Sequence, residues 1–165
     1  MKAILHTYTC FDCDVNYVAA CESGAYGQFI LSSVGTSEQV YMNALDDCIY
    51  DEVSNYIKKM PILDGLDDSE HAEILQKVFK IACDKDSKGF YFDLYLAPRC
   101  PNCGSKKRYD CKITDPVEYV DLDYVTHTEW KNLSESEKNK RLEKEVNKHG
   151  PFGSFPSPDF IKTLE

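Results

Sequence analysis

The sequence predicts an α+β fold: an antiparallel β core with an inserted antiparallel helical hairpin and a C-terminal surface helix. Three observations carry this. Short alternating segments fill residues 2–34 and return over 90–122, two apolar stripes at helical spacing lie between them, and a charged, twice-capped stretch follows. At 165 residues the chain has the length of one domain. Within it, 1–35 and 88–125 form the expected β core, 36–87 the helical insertion, 126–149 a C-terminal helical region and 150–165 a Pro/Gly/Phe tail.

Element by element, Lys2 to Thr9, Asp14 to Ala20 and Gln28 to Val34 read as strands, with Gly24 and Gly27 marking a turn. From Ser37 to Lys59, the residues Val40, Ala44, Leu45, Cys48, Ile49, Val53, Tyr56 and Ile57 fall on one helical stripe, and Pro61 follows its end. Asp67 with Glu70 three residues on forms a capping box that opens a second helix, with Ala72, Leu75, Val78, Phe79 and Ala82 facing inward. Strands are expected again at Phe90 to Leu96, Lys107 to Ile113 and, more weakly, Val117 to Leu122. Thr126 with Glu129 and Ser134 with Glu137 are two further capping boxes, which start a turn around Trp130 and a charged helix to about Lys148. That helix has only Leu142 and Val146 as apolar contacts, so it should lie on the surface. The tail from Gly150 to Phe160 spaces three Phe among Pro and Gly, as a strap over the core or a peptide that docks into a partner.

Composition narrows the function classes. With 42% hydrophobic and 28% charged residues, wholesale disorder, collagen-like repeats and coiled-coil rods are excluded. Apolar runs are a few residues long, far short of the roughly 20 that span a bilayer, so no membrane partner is expected. The first ten residues alternate and lack an apolar signal region, which leads us to expect a cytoplasmic protein. The net charge is −9. It is uneven: residues 1–57 hold Lys2 as the lone basic residue, whereas Arg99, Lys106, Lys107, Arg108 and Lys112 cluster in a basic island against Asp110 alone.

Eight cysteines occur, and four of them form two C-x-x-C pairs, Cys10-Phe11-Asp12-Cys13 and Cys100-Pro101-Asn102-Cys103. A two-residue spacing lets one tight turn aim both sulfurs at a single ion, and a second such turn completes a tetrahedron. Gly104 suits the positive-φ position that closes such a turn, while Asp14 in the equivalent place predicts a looser first turn. Each pair should end a strand, giving two hairpins clipped at their tips. This arrangement resembles the zinc-ribbon family, in which paired C-x-x-C turns share one zinc. The resemblance implies Cys10, Cys13, Cys100 and Cys103 as ligands of a structural Zn²⁺. Iron is the nearest rival, because Cys-Pro-Asn-Cys-Gly also looks like one turn of a rubredoxin. Cys48 and Cys83 are expected on buried helix faces. Cys111 reads as a packing residue on a return strand or a substitute ligand. His6, His71, His127 and His149 share no metal-like spacing and read as surface or packing residues.

No phosphate loop, nucleophile elbow or H-E-x-x-H pattern is present, and four thiolates leave no open position on a metal for catalysis. A non-enzymatic protein-interaction module follows, whose acidic surface suits a basic protein partner, as in an inhibitor or immunity-type protein. No small-molecule substrate is evident. The alternative is nucleic-acid binding through the basic knuckle, with Arg99, Lys106, Lys107 and Arg108 on phosphates and Tyr109 stacking on a base.

Overall fold

The computed structural model describes residues 1–21, 25–94 and 97–149. The tail, and the last two residues of the expected strand 90–96, lie outside them. The fold is α+β with antiparallel sheets. In chain order it runs β1 (Lys2–Cys10), β2 (Asn16–Ala20), β3 (Gln28–Ser33), β4 (Gln39–Asn43), α1 (Cys48–Lys58), α2 (Asp68–Val78), β5 (Phe92–Asp93), β6 (Arg108–Ile113), β7 (Tyr119–Asp121), α3 (Thr128–Lys131) and α4 (Glu135–His149).

Two sheets form. In the first, β1 is central: β2 pairs along one side, β6 pairs with its C-terminal half, and β7 pairs with Lys2, Ala3 and Ile4 at its start. The second has the order β4-β3-β5. The strand at 28–33 therefore does not extend the sheet of β1. Similarly, the segment at 92–93 pairs with β3 instead of forming a hairpin with β6, so the expected second clipped hairpin is not built. The insertion between the cysteine pairs brings a sheet of its own as well as helices.

β1 changes its buried face along its length. Near its start Ala3 is buried and Leu5 partly buried, in a small cluster with Ala20, Ile30, Tyr41 and Leu122. Beyond it, Tyr8 and Cys10 are buried on the opposite face with Tyr17 and Cys100. The large core lies elsewhere, where Leu31, Met42, Val53, Ile57, Leu75, Val78, Phe79, Trp130, Leu142 and Val146 join β3 and β4 to all four helices. Leu142 and Val146 thus pin α4 to the core, and the rest of that helix is largely exposed.

The long helix expected from Ser37 is half strand. Val40, Tyr41 and Met42 are β-formers that pair with β3, and the helix starts only where Asp47 Oδ1 accepts the N–H groups of Ile49 (2.9 Å) and Tyr50 (3.0 Å). Cys48 and Leu45, placed on the predicted stripe, are exposed as a result, while Cys83 is buried as expected. The capping box of α2 forms as read, with Asp67 N–H donating to Glu70 and Asp67 accepting from Ser69 and Glu70; along its face Ile74 is buried and Ala72 exposed. The box at Ser134 and Glu137 forms too. The one at Thr126 does not, because the carboxylate of Asp84 reaches across to accept from Thr128 N–H and Glu129 N–H, both at 2.8 Å.

Asp86 ties the turn between β3 and β4 to the turn that leads into β5. Its carboxylate is buried and accepts from Ser33 Oγ (2.6 Å), Thr36 Oγ1 (2.8 Å), Lys88 N–H (2.9 Å) and Phe90 N–H (2.8 Å). Burial raises its pKa, but these donors, Ser33 foremost, outweigh burial and hold it at about 2. Beside it the Phe90 ring lies against Gly35, where a Cβ would meet ring carbons at 2.3 Å.

Because the folded pKa of Asp86 lies below that of a free Asp near 3.9, its contribution is complete above that value and is lost as pH falls towards 2. Asp86→Ala should cost about 2 kcal/mol at neutral pH, the scale of removing hydrogen bonds to a charged group. Urea melts of Asp86→Asn should show a shallower loss of stability between pH 4 and 2 than the parent protein.

Candidate metal centre

The four cysteines of the two C-x-x-C pairs converge, each sulfur within 4.8 Å of the others. Cys10 ends β1 and Cys100 sits in the segment leading to β6, which is hydrogen-bonded to β1 alongside: Cys10 faces Arg108 across a bulge, and Phe11 N–H donates to Lys107 carbonyl at 3.0 Å. Strand pairing therefore brings together residues some 90 positions apart.

The two turns share one geometry. In the first, Asp14 N–H donates to Cys10 carbonyl (3.1 Å) and Cys10 N–H to Val15 carbonyl (3.0 Å); in the second, Gly104 N–H donates to Cys100 carbonyl (2.8 Å) and Cys100 N–H to Ser105 carbonyl (2.9 Å). The residue after the second cysteine is left-handed in both, Asp14 at φ 55° and Gly104 at φ 73°. The first turn is thus no looser than the second. Asp is among the residues that tolerate this conformation, and Tyr109 OH donates to Asp14 Oδ1 at 2.5 Å to hold it.

Cys10 Sγ lies 3.5 Å from Cys103 Sγ, and Cys13 Sγ lies 3.7 Å from Cys100 Sγ. A tetrahedral zinc with bonds of about 2.3 Å to sulfur needs edges of about 3.8 Å, so the donor set fits such an ion. Cys10 and Cys100 are buried, at 0% and 1% exposure, and Cys103 is exposed. Within the quartet, the side chain of Asn102 and the backbone of Val15 hold the Cys13 thiol down at about 6. At Cys103 the Ser105 backbone also lowers the pKa, yet hydrogen bonding to Cys13, burial and the other thiols together push it up to about 12. Four sulfurs this close can ionise together only around a cation.

The basic island surrounds the second turn, and much of it is engaged locally. Arg99 Nη1 donates to Gly104 carbonyl (2.8 Å), Lys107 Nζ stands 3.7 Å from Asp12, and Arg108 lies over the Tyr8 ring at 5.3 Å. Lys106 is exposed. Tyr109 meets Phe11 edge to face at 6.0 Å, and both rings are exposed.

Cys111 does not join the quartet. It gathers instead with His6 and Cys21, whose ligand atoms also lie within 4.8 Å of one another. Spacing along the chain concealed this group; the alternation His6, Tyr8, Cys10 on one face of β1 was its only trace in the sequence. Of the other histidines, His127 is buried as a packing residue, bonded to Asp47 Oδ2 (2.9 Å) and Ala82 carbonyl (2.7 Å).

Comparisons with protein-family models, curated proteins and solved structures find no match for this chain.

Substituting Cys10→Ser or Cys100→Ser should abolish binding of one metal ion per chain and lower the thermal midpoint by on the order of 10 °C or more, since metal binding at such a site is folding free energy. Elemental analysis and a calorimetric melt check both.

Proposed function

We propose that the protein is a non-enzymatic interaction module, held together by a structural zinc on Cys10, Cys13, Cys100 and Cys103, that presents an acidic surface to a basic protein partner. The observation that carries the reading is the closed quartet. Four convergent thiols fill every position of a tetrahedral ion, and two of them are buried, so the ion's work is to join the turn after β1 to the turn before β6. Four thiolates around one divalent ion add two negative charges to a chain already at −9. Such a field speeds capture of a cationic protein, which is how an inhibitor or immunity-type protein works.

A groove of about 640 Å³ between α1, α2 and the β3–β4 hairpin supports the binding half of this reading. Its lining includes Phe29 and Leu75, its rim carries Tyr26 and Leu45 at 88% and 64% exposure, and Asp51, His71 and the pair Lys58–Asp68, 4.0 Å apart, flank it. An apolar floor with a mixed-charge rim suits a partner that brings an apolar anchor.

One observation favours the nucleic-acid alternative: exposed Phe11 and Tyr109 stand beside Lys106, Lys107 and Arg108 on the knuckle. A single experiment separates the two. Tagged protein should capture a basic protein from nuclease-treated host lysate at near-stoichiometric yield, with the yield falling at least tenfold in Leu45→Arg and unchanged in Lys106→Glu/Lys107→Glu/Arg108→Glu. Capture of nucleic acid that is lost in the triple variant and kept in Leu45→Arg would replace the first reading by the second.

A further inference from the structure

We infer that His6, Cys21 and Cys111 form a second zinc site, with three protein ligands and a fourth position open to water or another small Lewis base. It goes beyond the interaction-module reading and does not rest on it. The three ligand atoms lie within 4.8 Å of one another on residues that the sequence separates widely. Two strand pairings bring them together. Cys111 stands opposite Tyr8 on β6, and Cys21, just past β2 on the other side of β1, donates its N–H to Ile4 carbonyl at 3.4 Å.

The second observation is a buried nitrogen in need of a partner. His6 Nδ1 is shielded from solvent and, among the described residues, makes no hydrogen bond. Leaving such an atom unsatisfied costs on the order of 1–3 kcal/mol, and a metal ligated at that nitrogen supplies the missing interaction. Tyr8 completes the surroundings: it stands on the same face of β1 as His6, directly opposite Cys111 on β6, and its buried ring is held by stacking on Tyr17 at 5.4 Å.

A disulfide is the competing use of two near cysteines. Cys21 and Cys111 sit on opposite flanks of β1, and strands on either side of a central one are about 9–10 Å apart, beyond the 4.4–6.8 Å between Cα atoms that a disulfide spans. A metal tolerates the wider separation because it stands between the sulfurs. Two thiolates and one imidazole select a borderline-soft ion such as Zn²⁺. Unlike the quartet, this set is incomplete, and Cys111 is exposed, so solvent or a ligand reaches the ion.

The test counts zinc in the purified full chain after dialysis against micromolar ZnCl₂. Two ions per chain are expected, falling to one in Cys21→Ser/Cys111→Ser. The zinc-edge X-ray absorption of the parent protein should show imidazole scattering that His6→Ala removes, which keeps the test decisive if the double variant does not fold. One ion per chain in both the parent and the double variant, an absorption spectrum without imidazole, or a Cys21–Cys111 disulfide found by mass spectrometry would overturn the inference. Loss of an ion in Cys10→Ser with none lost in Cys21→Ser/Cys111→Ser would overturn it as well, while leaving the quartet standing.

Discussion

The end of the first sheet that carries Cys10 depends on how four sulfur atoms are held together there. Among the described residues, the apolar cluster at that end consists of Tyr8, Cys10, Tyr17 and Cys100, with no aliphatic side chain larger than alanine packed among them. A patch of that size cannot repay the entropy of ordering two turns and three strand ends. In the proposed zinc-bound protein, the ion on the four cysteines takes the place of hydrophobic burial here, while the helices and the second sheet rely on a conventional core.

The division of labour shows in β1. Its first half buries Ala3 and Leu5 towards the second sheet, and its second half buries Tyr8 and Cys10 on the other face. One strand therefore belongs to two packing environments, and β7 and β6 divide its length between them. The sheets are further joined where Gln39 exchanges hydrogen bonds with the backbone of Ala20 (2.9 and 3.0 Å) and where Tyr41 meets the backbone of 123–125. The insertion is tied to the cysteine-bearing sheet through these contacts.

Local signals were legible in the sequence and distant ones were not. Both C-x-x-C turns, the capping boxes at Asp67 and Ser134, and the stop after Lys58 are written within a few residues, so spacing alone reveals them. The stretch 39–43 was misread because Val40, Ala44 and Leu45 imitate a helical stripe, and only pairing with β3 decides otherwise. Asp84 caps a helix more than forty residues away, and Asp86 gathers donors from Ser33 and Thr36. The grouping of His6 with Cys21 and Cys111 likewise exists only once β1 has neighbours on both sides.

The separation of 93 residues between Cys10 and Cys103 has a bearing on how the protein is made. At ribosomal speeds of 5–20 residues per second, the second turn emerges roughly 5–20 s after the first. During that interval Cys10 and Cys13 form an incomplete dithiol, while β2, β3, β4 and the first two helices are already available to fold around local contacts. The cysteine-bearing sheet is then a late closure, made when β6 arrives beside β1.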